Sequence, residues 1–256
     1  MKKTHLIALY TIAHKEIRRF TRIWIQTLIP PVITTSLYFL IFGHVIGSRI
    51  GTMQGYQYMN YIVPGLILMS VIQHSYSNVS SSFYSTKFQH SIEELLIAPV
   101  PNWIILTGFV IGGMARGLLV GLIVACVTFF FTHITVQHIW IAIAIACLTS
   151  LLFSLAGFTN AMLAKSFDDI SIIPTFVLSP LIYLGGVFFS IHLLPDFWYR
   201  LSLANPILHM VNAFRYGIIG SSDVPVITAF LIVTAAIVIL LSINLVMMER
   251  GTGLKS

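Results

Sequence analysis

Charge is scarce in this 256-residue chain: Asp, Glu, Lys and Arg make up 9% of it, and only eight residues are acidic. Soluble domains are roughly one-quarter charged, so this composition leaves no room for a separate water-soluble domain and predicts one membrane-embedded unit spanning 1–256. Cysteine is nearly absent. Cys126 and Cys147 both lie in apolar runs, where they behave as small hydrophobes, so no disulfide framework is expected. The nine histidines lack metal-ligand spacing, and His133 and His138 in one loop do not match a helical metal pair. Hydrolase and nucleotide signatures are missing too. There is no G-x-x-x-x-G-K-S/T, G-x-S-x-G or H-E-x-x-H, and the terminal Gly251-Thr252-Gly253-Leu254-Lys255-Ser256 fails the phosphate-loop spacing. This chain is therefore expected to hold no cofactor and no ATP of its own. No carboxylate sits inside an apolar run and no internal repeat is visible, which argues against a secondary transporter. An integral membrane enzyme acting on lipid would need His and acidic residues clustered at one interface, and none are.

What the chain has in abundance is long apolar sequence, with a mean hydropathy of +0.92. About 20 apolar residues are needed to cross the hydrocarbon as a helix. Six runs meet this: Ile23 to Ile46, Met59 to Phe83, Gly108 to Thr132, Ile139 to Leu163, Ile170 to Ser190 and Val226 to Met248. The expected fold is an all-α integral membrane protein with six transmembrane helices. Six crossings put both termini on one side. If that side is the cytoplasm, Lys2, Lys3, Lys15, Arg18, Arg19, Arg22, Lys87, Lys165, Arg250 and Lys255 are inside, against Arg49, Arg200 and Arg215 outside, as the positive-inside rule requires. The formal charge of +6 then reflects contact with anionic lipid rather than nucleic acid, since six of the basic residues crowd between Lys2 and Arg22. That mixed basic segment also separates the first lysines from the first apolar run, unlike a cleavable signal.

Three connecting segments depart from plain spans. In residues 1–22, Leu6, Leu9, Ala13, Ile17 and Phe20 recur at helical steps opposite Lys15, Arg18, Arg19 and Arg22, the pattern of a basic amphipathic helix lying on the cytoplasmic surface. Residues 85–102 form the longest cytoplasmic connection. There Ser91 can cap a short helix with Glu93 and Glu94 in its first turn, Pro99 stops it, and Ile92, Leu95 and Leu96 share a face. Such a helix suits a groove on a soluble partner, and the same spacing suits a helix lying along the membrane surface. In residues 191–225, Pro195-Asp196 and Asn205-Pro206 each open a short helix on the outer side, too short to cross. These helices fit an outer gate, and equally an interfacial linker anchored by Trp198, Tyr199 and Tyr216. Pro30, Pro31, Pro174 and Pro180 predict kinked spans. Arg116, near the start of the third run, is expected to snorkel to the cytoplasmic interface, and Gln73, His74, Asn78, Asn160 and Asn244 to bond between helices.

The order of these features resembles the membrane subunit of type-2 ABC exporters over almost the whole chain. The basic lead and double-proline first run are followed by Phe42-Gly43 and Tyr61-Ile62-Val63-Pro64-Gly65-Leu66. Further on come Ile92-Glu93-Glu94-Leu95-Leu96-Ile97-Ala98-Pro99, Phe153-Ser154-Leu155-Ala156-Gly157, Pro180-Leu181-Ile182-Tyr183-Leu184-Gly185-Gly186-Val187-Phe188, Leu194-Pro195 and Asn205-Pro206. The resemblance implies a homodimer of six-span subunits in a bacterial inner membrane, each docking one of two ATPase subunits that carry ATP and Mg. It implies that Ile92, Glu93, Glu94, Leu95, Leu96 and Pro99 form the coupling helix, and that Lys15, Glu16, Arg18, Arg19 and Arg22 belong to the interfacial helix. Pro195, Asp196, Asn205, Pro206 and Arg215 would lie in paired re-entrant outer helices. Exporters of this kind move lipid-linked or other hydrophobic compounds, and no residue set selects one here.

Overall fold

The computed structural model describes residues 2–132 and 134–253; His133 and Lys255, both weighed above, lie outside these residues. Twelve α-helices, two π-helical segments and one 3-10 turn make up the helical structure among the described residues, and β-structure there is limited to a hairpin of two-residue strands, Thr52–Met53 paired with Tyr56–Gln57. Among the described residues four helical stretches are long and apolar enough to cross a membrane: Trp24–Ile50, Asn102–Thr128 (α6), Ile139–Leu163 (α7) and Val226–Arg250 (α12). The first comprises α2 (Trp24–Tyr38), a π-helical segment (Phe39–Ile46) and α3 (Gly47–Ile50).

The other two expected spans differ for separate reasons. The second corresponds to α4 (Tyr58–Phe88), whose 31 residues would rise roughly 46 Å. It is too polar to count as a lipid-facing span because the neighbouring helices enclose it and can satisfy its serines and amides internally. The Ser75 and Ser150 hydroxyls, for example, meet at 2.7 Å between α4 and α7. The fifth expected span is three helical pieces of 7, 5 and 5 residues: α8 (Phe167–Ile173), a π-turn (Pro174–Leu178) and α9 (Ser179–Tyr183). Neither Pro174 nor Pro180 can donate a backbone hydrogen bond, and the ladder re-forms one residue wider between them, with Ser179 N and Oγ both donating to Pro174 O. A capping box starts this stretch, with Asp169 N donating to Ser166 Oγ (3.1 Å) and Ser166 N to Asp169 Oδ2 (3.0 Å).

Small residues set the packing. Gly113, Gly117 and Gly121 of α6 face α4, where an added Cβ would fall 2.4 Å from Val79, 1.8 Å from Ser75 and 2.5 Å from Val71 respectively. Gly108 and Gly112, on another stripe of α6, leave the same kind of space for Ile12 and Glu16 of α1 (Lys2–Arg22). Between membrane helices such stripes permit the close approach that dispersion and interhelical hydrogen bonds require.

That second stripe changes the face that α1 buries. Leu6, Leu9, Ala13, Ile17 and Phe20 were the expected apolar side. In the structure Ile12, Ala13, Glu16 and Phe20 are buried while Leu6 is exposed. The glycine groove selects residues that fit beside it, and in doing so draws an acid inside. Polar span residues divide similarly. Asn160 Nδ2 donates to Ile170 O and Asn244 Nδ2 to Leu155 O, both at 3.0 Å, as interhelical bonding predicts. His74 Nδ1 is buried with no partner among the described residues.

Candidate functional site

The features of interest lie at the two ends of the bundle. At one end α1 packs on the first half of α6, and the short α5 (Ser91–Ile97) bridges the end of α4 and the start of α6. Lys87 donates to Met162 O (3.1 Å) and Ala164 O (2.7 Å), closing the C-terminus of α7. Gly253, just past α12, also lies against Met162 O. Lys87, Lys165, Arg250 and the cations of α1 therefore share this end.

α5 is held differently from the sequence expectation. Ser91 does not cap it: the Ser91 hydroxyl donates to Thr86 O (3.1 Å), and His90 takes the N-cap position in the left-handed region at φ 56°. This tie rotates the helix so that Ile92 is buried and Leu95 half-buried, whereas Leu96, expected on the same face, turns outward beside Ile97. Glu93, Glu94, Leu96, Ile97 and Pro99 are all exposed. The resulting surface is a small apolar knob, with Ile97 85% exposed, flanked by two carboxylates. On α1, Lys15, Arg18 and Arg22 are exposed, but Glu16 is fully buried and Arg19 pairs with it at 3.4 Å while donating to Asn78 Oδ1 at 2.8 Å. Asp169 lies at this end as well. The Lys165 backbone N–H and the Ser166 cap hold its carboxyl below the usual range, so its capping contribution is present at neutral pH and fades as pH falls through that lowered value.

At the opposite end, the 3-10 turn Ile191–Leu193 leads into α10 (Asp196–Leu203) and α11 (Pro206–Ile219). Asn205 caps α11 by accepting from Ile207 N (3.0 Å), with Pro206 in the first turn as expected. The two helices have unequal surroundings. α10 exposes Phe197, Trp198 and Leu201, whereas α11 buries almost every residue against α4, α7 and α12. Close approach of α11 to α7 depends on Gly217, where a Cβ would meet the Ala142 backbone at 2.7 Å.

Arg215 explains why α11 is held so firmly. It is completely buried, donates from Nε to Tyr61 O (3.3 Å), from Nη1 to Asn212 Oδ1 (3.3 Å) and from Nη2 to Gly186 O (2.5 Å), and lies over the Tyr61 ring at 4.0 Å. Asp223 completes the knot by accepting from Ser190 Oγ and Ile191 N, each at 3.1 Å. Nothing in the one-dimensional pattern singled out Asp223, and Tyr61 stood out only as the first residue of the Tyr61–Leu66 motif; the acid and the tyrosine lie 162 residues apart, and only folding brings them together. The expected outer residues thus separate into two sets. Asp196 and Pro195 are exposed at the start of α10, while Asn205 and Arg215 are built into the core.

This asymmetry gives a direct expectation for thiol labelling. A cysteine at Leu201 should react readily with a membrane-impermeant maleimide, and one at Ile207, which is 1% exposed and meets Gly185, should be protected by at least tenfold in rate. Equal rates at the two positions would show that α11 opens as freely as α10.

No group of three or more His, Cys, Asp or Glu is placed to hold a metal among the described residues. The combination of membrane-length helices, an enclosed polar α4, a projecting knob at one end and a knotted segment at the other is that of a polytopic membrane protein of the transporter class. Residues 7–219 match the ABC-2 type transporter family, and the chain belongs to it. It is 55% identical, over the full length of both chains, to the inner membrane transport permease YadH of Escherichia coli strain K12, and equally so to that of Shigella flexneri. It is also 24% identical over 182 residues, 71% of this chain and 69% of the relative, to nodulation protein J of Sinorhizobium fredii.

Proposed function

We propose that this chain is the membrane-spanning permease subunit of an ATP-binding-cassette exporter of the bacterial inner membrane. Two copies form the translocation pathway, and two copies of a separate ATPase, holding ATP and Mg, drive it. The cargo is hydrophobic or lipid-linked. The observation that carries this reading is the α5 knob: a seven-residue helix anchored by buried Ile92 that exposes Glu93, Glu94, Leu96 and Ile97 together. A helix displaying apolar and acidic side chains at the cation-rich end has the form of a peg for a groove on a soluble partner. α4, enclosed by its neighbours, and the α8–α9 stretch, which exposes Ile172, Phe176 and Val177, complete six crossings in this reading, and both termini lie in the cytoplasm.

The mechanism follows from stiffness. Ile92 joins the cluster containing Phe83, Phe109 and Phe158, so displacement of α5 by a closing ATPase bears directly on the cytoplasmic ends of α4, α6 and α7. Packed cores shift as units rather than deforming smoothly. The outer end responds where it is least held, at α10. Purification of the chain with a C-terminal tag in mild detergent should bring down an ATPase bearing a phosphate-loop motif, with the tag protease-accessible only from the cytoplasmic face. A chain that emerges alone, under conditions where nucleotide is present throughout, would count against the assignment.

A further inference from the structure

Three connections at the α10–α11 end meet at one half-buried carboxylate. Asp223, between α11 and α12, accepts from Ser190 Oγ and Ile191 N at the root of α10 and from Tyr61 Oη (3.4 Å) of α4, while its own N–H donates to Asn212 Oδ1 (2.9 Å). A further donor comes from outside this knot. Gln54, exposed at the tip of the hairpin between α3 and α4, donates from Nε2 to Asp223 Oδ1 and to Ser190 Oγ (3.2 Å), and its Oε1 accepts from Ser221 Oγ (2.6 Å). One amide thereby ties the hairpin both to the approach to α10 and to the α11–α12 loop.

The hairpin favours that contact over its own backbone. Met53 pairs with Tyr56, which leaves Gln54 and Gly55 as a two-residue turn with positive φ at both, 51° and 82°. Such a turn suits asparagine, aspartate or glycine at its first position, and glutamine is uncommon there. Asparagine would fit the backbone better but is one methylene shorter than the side chain that reaches Asp223 and Ser221. A costly backbone conformation kept at the point of contact directs attention to the contact itself. Behind the tip, Met53 is buried in the core, and Gly51 turns the chain at φ 74° with open space around it. Below the hairpin, Tyr58 Oη donates to Phe188 O (2.9 Å) and the Phe42 ring stacks on Phe188 at 4.7 Å. This end is thus held by two kinds of tie. The Arg215 bonds are buried, whereas water competes for the exposed donors and acceptors of Gln54, so the hairpin is the tie that parts first.

We propose that Thr52–Gln57 is a strap that closes this end of the bundle over Val187 and Phe188, with Gln54 as its latch on Asp223. Release of the latch lets the hairpin swing at Gly51 and frees Ser190, so that the root of α10 moves while Arg215 keeps α11 in place. That the strap serves passage of cargo rests on the transport reading; that it closes the bundle does not.

The test needs no ATPase, so its outcome is separable from that of the co-purification. In a full chain carrying Cys126→Ala and Cys147→Ala, the single replacement Val187→Cys places a thiol at a fully buried position. Its reaction with a membrane-impermeant maleimide is then timed in nanodiscs. Gln54→Ala should speed labelling at least tenfold. Gln54→Gly should do the same even though glycine relieves the turn, whereas a hairpin with a merely structural role would be improved by glycine and label no faster. Gln54→Glu keeps the shape but sets a second carboxylate against Asp223, and should open the strap at least as far as Gln54→Ala. Gln57→Ala, an exposed change on the same hairpin at a side chain with no hydrogen bond among the described residues, should leave the rate of the Val187→Cys parent unchanged. Thermal unfolding identifies any variant that labels because it has lost its fold. Equal rates for Gln54→Ala and the parent, slower labelling of Gln54→Gly, or an acceleration by Gln57→Ala that matches Gln54→Ala would overturn the latch.

Discussion

Arg215→Leu should be the most destabilising single replacement at the α10–α11 end of this protein. The wild-type guanidinium serves three buried acceptors, Tyr61 O, Gly186 O and Asn212 Oδ1, and stacks on the Tyr61 ring. Leucine removes every donor and leaves the acceptors in a fully buried site. An orphaned buried polar group costs about 1–3 kcal/mol, so a total of roughly 3–5 kcal/mol is expected once relaxation recovers part of the loss. Asp223, which shares the knot, would retain its bonds to Ser190 and Ile191 but lose the cation beside it. Arg215→Lys should recover only a fraction, because one ammonium cannot span three acceptors and cannot stack as a plane. Thermal unfolding in detergent measures both variants; a midpoint for Arg215→Leu within a degree of wild type would refute the role of the knot. Labelling of a cysteine at Ile207 in the same background should rise as α11 loosens.

Reversing the charge of the α5 knob should abolish transport while sparing the fold. Glu93 and Glu94 are exposed, and their only charged contact among the described residues is His90 with Glu93 at 3.3 Å. Glu93→Lys with Glu94→Lys therefore removes no buried contact, and the unfolding midpoint should move little. A partner groove complementary to two carboxylates would instead meet two ammonium groups, a like-charge juxtaposition that costs several kcal/mol at a docked interface. ATP hydrolysis by the partner should continue at its uncoupled rate and export in vesicles should fall at least a hundredfold. Undiminished export by the double variant would remove the knob from the energy path.

The local signals in the chain are those with local causes. Asn205-Pro206 opens α11 because an amide acceptor and a fixed φ need only their own neighbours, and Pro174 with Pro180 disrupts a helix wherever the helix sits. The amphipathic lead is a helix over Lys2–Arg22 for the same reason. Burial is another matter. α1 turns Glu16 inward and Leu6 outward because Gly108 and Gly112, almost a hundred residues away, provide the groove. α5 rotates Leu96 into water because Ser91 is spent on Thr86 rather than on a cap.

By itself the sequence determined that the chain belongs in a bilayer, where four of its long apolar helices run, and which end carries the cations. Hydrophobic length and the cost of charge in hydrocarbon act residue by residue, and so can be summed along a string. Only the tertiary structure decided that polar α4 is enclosed, that α11 is fixed and α10 exposed, and that Glu16 is buried in a pair with Arg19. Those outcomes depend on which surfaces meet, and a membrane supplies no hydrophobic force to choose among them. Glycine stripes, interhelical hydrogen bonds and the satisfaction of buried polar groups make that choice between segments far apart in the chain.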